Sequence, residues 1–149
     1  MKKSSGFTLI EILVVVTIIG LLTLTAVVTY GAFLKQSMDA KRKGDLGQIS
    51  AALEMYRSIN NTYPEIGLSQ LTTPTIYIQS VPTDPKIASY TYYYKSVDSA
   101  GGACDGSAAD SCASYTLGAH LENVATTCQS LSTQCTSNCT YCLGPYGEK

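Results

Sequence analysis

Charge is scarce in this chain. Of 149 residues only 14% are Asp, Glu, Lys or Arg, 10 basic against 11 acidic, for a formal net charge of −1. That balance excludes a nucleic-acid binder built on a broadly basic surface. Histidine occurs once, as His120. With no carboxylate, Ser or Cys partner at motif spacing, it reads as a surface or strand residue rather than a catalytic base. There is no Gly-rich phosphate loop, no nucleophile elbow and no metal-ligating helix motif. No catalytic residue, resident metal or cofactor is therefore assigned, and a non-enzymatic role is expected. Disorder is excluded from the other side, because 45% of residues are apolar and a charge-poor, apolar-rich chain can bury a core.

The apolar residues are concentrated near the start, and the cysteines near the end. All 6 cysteines lie between Cys104 and Cys142. An even number clustered in a small region points to disulfides, hence to an oxidising compartment. The competing reading is a zinc site, since Cys139-Thr140-Tyr141-Cys142 has C-x-x-C spacing. Such a site generally shows two close pairs, and His120 lies far off in sequence, so no metal is expected.

The opening, Met1-Lys2-Lys3-Ser4-Ser5-Gly6, is short and basic. Phe7-Thr8-Leu9-Ile10 follows, then Glu11, then Ile12 to Leu34 without a charge. Those 23 residues span about 35 Å as a helix, enough to cross a bilayer core of about 30 Å. The lysines lie on one side, which keeps residues 1–6 cytoplasmic and exports the C-terminal bulk. A cleaved secretory signal fits poorly, since no A-x-A pattern closes a short apolar core. Glu11 is the informative residue. A carboxylate inside an apolar block is expensive in lipid and needs a cationic partner. A cut after Gly6 would create one, the new amine of Phe7. Within one helix the amine and the carboxylate could meet; in a packed assembly the amine of one subunit could neutralise the glutamate of its neighbour.

Gly6-Phe7-Thr8-Leu9-Ile10-Glu11 resembles the class III signal of type IV pilins and type II secretion pseudopilins. The resemblance implies cleavage between Gly6 and Phe7 by prepilin peptidase, N-methylation of Phe7, and an assembly role for Glu11 with Phe7. Removing Lys2 and Lys3 from the 10 basic side chains leaves 8 against 11 acidic ones, net −3. The implied partners are prepilin peptidase, other copies of the chain and related pilins or pseudopilins, the inner-membrane assembly platform with its ATPase, and membrane lipid before assembly. The implied location is the bacterial inner membrane, as a single pass with the C-terminal domain outside the cytoplasm, and then a pilus or pseudopilus at the cell envelope or surface. Looser matches lie in Ala52-Leu53-Glu54-Met55-Tyr56, Thr62-Tyr63-Pro64, Gly67-Leu68, Asp84-Pro85 and Tyr90-Thr91-Tyr92, which resemble the major pseudopilin. That protein usually has Trp after the Asp-Pro and an acidic calcium-binding loop. Here Lys86 follows and Trp is absent. Asp98, Asp105 and Asp110 read as loop solubilisers, so calcium is not expected.

Beyond Leu34, helical periodicity appears at Leu46, Ile49, Leu53 and Tyr56. Asn60-Asn61 before Tyr63-Pro64 ends it. One helix is therefore expected from about Phe7 to about Ile59. The run Lys41-Arg42-Lys43 reads as a solvated helix face or a contact with lipid head groups; contact with nucleic acid is the alternative. Strands are expected at Tyr90–Val97, at Ala113–Leu121 with Tyr115, Leu117 and Ala119 on one side, and at Tyr141–Leu143. The tyrosines at 90, 92, 93 and 94 read as strand packing, with a stacking platform for single-stranded nucleic acid as the alternative. A Cys104–Cys112 bond would staple the intervening loop. For Cys128, Cys135, Cys139 and Cys142 three pairings are open, with Cys128 to Cys142 or to Cys135 preferred.

The expected fold class is α+β: a long N-terminal α-helix, membrane-spanning then amphipathic, packed on a small antiparallel β-sheet with disulfide-stapled C-terminal loops. The expected organisation is a cleaved leader over 1–6, a transmembrane or filament-core helix over 7–34, its amphipathic half over 35–62, and an exported globular β domain over 63–149. The expected function is a structural subunit of a type IV pilus-like filament. The alternatives are a pseudopilin of a type II secretion system and, third, a membrane-anchored exported binding module.

Overall fold

The computed structural model describes residues 6–65, 67–104, 111–124, 128, 131, 135 and 139–148. Outside these lie Lys2, Lys3, Ile66, Asp105, Asp110 and Asn138. The chain divides into two compact units, Met1–Gln36 and Ser37–Lys149. One helix, α1, spans Leu9–Asn60.

In the first unit the large apolar side chains of α1 are exposed among the described residues, and Leu9–Val27 is long and apolar enough to cross a membrane. Its threonines are suited to that setting. The hydroxyls of Thr17, Thr23 and Thr25 donate to the carbonyls of Val14, Ile19 and Leu22 at 2.8, 2.8 and 2.9 Å, and Thr29 to that of Thr25 at 3.3 Å. Each hydroxyl is thus satisfied within the helix, as an apolar solvent demands.

In the second unit α1 becomes amphipathic. Leu46, Ile49 and Leu53 are fully buried, on the stripe that the 3.6-residue period predicts, and each contributes about 1.5–3 kcal/mol by leaving water. The helix stops in a left-handed cap. Asn61 takes φ 57° while its N–H still donates to the Arg57 carbonyl at 2.8 Å, and Pro64 follows. A short 3₁₀ turn over Leu68–Leu71 drops Leu71 into the core.

Four antiparallel strands follow in the order β1-β2-β3-β4: β1 (Tyr93–Val97), β2 (Ser114–Ala119), β3 (Tyr141–Gly144) and β4 (Gly147–Glu148). Register pairs Lys95 with Thr116 and Gly118 with Cys142. Period-two alternation sends Tyr115, Leu117 and Ala119 to one face, where they join Leu46, Ile49, Leu53, Tyr63 and Leu71 in the main core. β1 begins three residues later than expected. The Tyr90 N–H donates to the Lys86 carbonyl at 2.9 Å, closing a turn that consumes the start of the predicted strand. β4, two residues long, was too short to show any alternation in the sequence.

The other face of the sheet is covered as well. Cys128, Leu131, Cys135, Cys139 and Cys142 form a second buried cluster, with Tyr93 packed against it. Disulfides join Cys104 to Cys112, Cys128 to Cys142 and Cys135 to Cys139. Gly118 makes the cover possible. A Cβ there would fall 2.5 Å from Leu131 Cδ1 and 2.8 Å from Cys139 Sγ, so the strand must be bare at that point.

Candidate functional site

The N-terminal segment comes first. Gly6, Phe7 and Thr8 precede the helix. Phe7 is 85% exposed and Gly6 stands in open space, so the Gly6–Phe7 peptide is accessible. Thr8 is the N-cap of α1 and Glu11 its third residue. The Thr8 amide and hydroxyl both donate to Glu11 Oε2 at 2.8 Å, and the Glu11 amide donates to Thr8 Oγ1 at 3.4 Å. This is a capping box, which satisfies amides at a helix start reciprocally. In the uncut chain, then, Glu11 has its polar partners within its own first turn. Sequence reasoning sought a cation for Glu11 and passed over Thr8; the Thr-x-x-Glu spacing ahead of an apolar run was the available signal.

A second constellation centres on Arg42. The basic run was expected to be solvated, and for Lys41 and Lys43 that holds. Arg42 corrects the reading: it is 0% exposed. Its Nε and Nη2 donate to the two oxygens of Asp84 at 2.8 and 3.1 Å, and its Nη1 donates to Asp39 at 3.0 Å and Glu122 at 3.4 Å. Lys86 Nζ reaches Glu122 at 2.7 Å. Asp39 also accepts the backbone amides of Glu122 and Asn123. Arg42 further lies over the Tyr90 ring, 5.3 Å from its centroid, and His120 stacks on Tyr90 at 4.2 Å. One guanidinium thus ties the helix to the Asp84 turn and to the turn after β2. Sequence spacing gives no hint of this, because Asp84 and Glu122 are 42 and 80 residues away.

The electrostatics follow from this packing. Burial favours a protonated Asp39, but the amides of Glu122 and Asn123 and the Arg42 guanidinium outweigh it and hold the carboxyl below its usual range. Lys86 chiefly, and then Arg42, do the same for Glu122 against its partial burial. Burial lowers the affinity of Arg42 for its proton, yet Asp84 more than offsets this and the guanidinium is held charged. At the far end of α1, burial and the Glu54 carboxylate push the Tyr63 hydroxyl up to about 12, with Arg57 opposing.

The cysteines lie in two places. Cys112 sits beside the helix exit: its N–H donates to Thr62 Oγ1 at 2.9 Å and its carbonyl accepts from the Tyr63 amide at 3.1 Å. Cys104 is bonded to it, and Cys128, Cys135, Cys139 and Cys142 form the cover on the outer face of the sheet. Asp98 turns its own loop, accepting the amides of Ala100 and Gly102 at 2.8 Å. Among the described residues no group of three or more His, Cys, Asp or Glu is arranged to hold a metal ion.

Comparison with known proteins adds to this geometry. Residues 1–27 match the family model of the prokaryotic N-terminal methylation motif. The chain is similar to the type II secretion system core protein G of Pseudomonas aeruginosa, 37% identical over 105 residues that cover 61% of this chain and 74% of that protein. It is similar to the core protein G of Vibrio cholerae, 34% identical over 62% of this chain and 72% of the relative. It is also similar to a probable minor fimbrial protein of Dichelobacter nodosus, 39% identical over 47% of this chain and 43% of that protein. No solved structure matches it.

Proposed function

Because the chain belongs to the family of pilin-like filament subunits that includes type II secretion system core protein G, we propose that it is cut between Gly6 and Phe7, methylated on the Phe7 amine, and polymerised through its N-terminal helix into a pilus-like filament. The observation that carries this is one carboxylate, Glu11, four residues beyond Phe7 of an accessible Gly-Phe bond, at the head of an apolar helical segment that carries no other charge as far as Leu34. The family is structural and implies self-assembly and processing. An apolar helix in that family also implies membrane anchoring at the envelope. In the proposed sequence of events the helix waits in the inner membrane with the disulfide-bonded domain outside. Cleavage then frees a cationic amine, and Glu11 exchanges the Thr8 hydroxyl for the Phe7 amine of an adjacent copy.

The relatives named core protein G support a short secretion pseudopilus as the setting, and the fimbrial relative a longer fibre. Long surface fibres, or none, on cells making the protein separate the two. The reading itself is tested by Glu11→Ala. The variant should insert in the membrane and keep its disulfides, yet form few or no filaments. Normal filaments from Glu11→Ala would sink the proposal.

A further inference from the structure

Burial sorts the charges at the start of the second unit by sign. Beyond the uncharged run the sequence of α1 is mixed: Lys35, Asp39, Lys41, Arg42, Lys43 and Asp45. Asp39, Arg42 and Asp45 are buried, whereas Lys35, Lys41 and Lys43 are exposed. The acids are engaged inside. Asp39 holds Arg42 and two backbone amides, and Asp45 accepts the Tyr92 hydroxyl at 2.7 Å. Asp84 and Glu122 are likewise turned onto Arg42. This stretch of α1 therefore presents ammonium groups and no carboxylate. The two turns tied to it by Arg42 add apolar groups. Ile87, next to Lys86, is 64% exposed, and Val124, next to Asn123, is 37% exposed. Exposed lysines bordered by exposed aliphatic side chains are the pattern of a surface that lies on lipid. Orientation of the membrane span does not explain the lysines, because cations on the exported side oppose the bias that sets orientation.

We propose that this end of the second unit rests on the anionic phospholipid head groups of the leaflet from which it emerges, in the subunit before assembly. The inference rests on the reading of α1 as a membrane anchor and deepens it by naming a second contact with the bilayer. Charge complementarity supplies the attraction, since lysines close to an anionic leaflet are drawn to it. Chain length supplies the proximity. However the two units are set, the chain from Leu34 to Asp39 reaches at most about 18 Å even fully extended. A tether this short makes a weak surface contact effective, because the second binding event is intramolecular. Ile87 and Val124 then enter the head-group layer beside the lysines.

The test places a photoreactive benzoylphenylalanine at Ile87 of the full chain, or at Tyr146 as a control. Tyr146 is 92% exposed and lies within electrostatic reach of Arg57, which is about 22 Å along α1 from Arg42. Each chain is reconstituted in vesicles of phosphatidylcholine, alone or mixed with phosphatidylglycerol, then irradiated, and its lipid adducts are measured by mass spectrometry. The expected result is adducts at Ile87, several-fold more abundant in the mixed vesicles, and none at Tyr146. Lys41→Gln with Lys43→Gln should lower the ratio of docked to undocked domain about thirtyfold, read as loss of the Ile87 adducts. The same variant should keep the Tm of the parent chain, since both lysines are exposed; this separates lost docking from lost folding. Equal adducts in both kinds of vesicle, equal adducts at Ile87 and Tyr146, or adducts indifferent to the two lysines overturn the docking and leave the anchor standing. A chain that alkaline carbonate strips from the vesicles overturns both.

Discussion

Arg42 shows how far a single residue departs from its sequence neighbourhood. It sits between two exposed lysines and is itself sealed against three carboxylates. Removing one partner of a buried ion pair leaves uncompensated charge and typically costs about 3–5 kcal/mol. Arg42→Met strands Asp84, whose side chain is fully buried, and should lower stability by that order in urea titrations of the full chain in detergent micelles. Lys86→Ala removes only the exposed arm of the cluster and should cost less than about 1 kcal/mol. Equal losses would mean that the guanidinium is not the organising group. The same residues set an acid limit. The folded-state values of Asp39 and Glu122 are depressed, so the folded state holds these carboxylates ionised more firmly than the unfolded chain does. Their contribution is present above the ordinary carboxylate range and is lost as pH falls through the depressed values. Tyr63 acts in the opposite sense: raised from 10.0 to about 12, it contributes below pH 10 and that contribution is lost as pH rises toward 12. A Tm profile across pH should therefore fall at both ends, and Arg42→Met should flatten the acid limb.

At the scale of elements, what could be read in advance was whatever periodicity governs. The helix, expected from about Phe7 to about Ile59, runs over Leu9–Asn60 because an apolar block and a 3-4-3 spacing are local facts about the chain. β2 and its inward tyrosine and leucine were legible for the same reason. The start of β1 was not, since Tyr90 is held by a turn and by ring contacts with residues distant in sequence. The Arg42 cluster and the covered outer face were equally illegible, because both are made by tertiary neighbours. At the N-terminus Glu11 stood out by its charge, and Gly6 and Phe7 by the resemblance of their segment, while Thr8, an ordinary threonine among apolar residues, did not. Gly118 carries the element-scale prediction. It pairs with Tyr93 and Cys142 across two ladders, and a methyl group there collides with Leu131 and Cys139. Overpacking of this kind costs about 1–3 kcal/mol. Gly118→Ala should lower Tm and speed proteolysis of residues 128–142 ahead of the helix-packed core. Unchanged proteolysis would mean that the cover yields freely.

At the scale of the whole molecule, compartment and fold depend on each other. The second buried cluster contains four cysteines, Leu131 and the partly buried Tyr93, too little apolar surface to hold a segment in place without covalent help. Closing the loop between Cys128 and Cys142, 14 residues apart, is worth about 3 kcal/mol in the chain-entropy account, and the shorter Cys135–Cys139 closure about 2 kcal/mol. Those bonds persist only where thiols are not kept reduced. An exported domain should therefore hide every sulfur. Membranes from cells making the full chain, denatured and treated with a maleimide-linked polymer, should show no mass shift before reduction and a six-step shift after it, one step for each of the 6 cysteines. A chain kept inside by Leu22→Arg, which places a cation near the middle of the span at a cost of about 3 kcal/mol to insertion, should take the label without reduction and be degraded. Labelling of the normal chain before reduction would show that its domain never left the reducing side, and a filament subunit could not be assembled from it outside the cytoplasm.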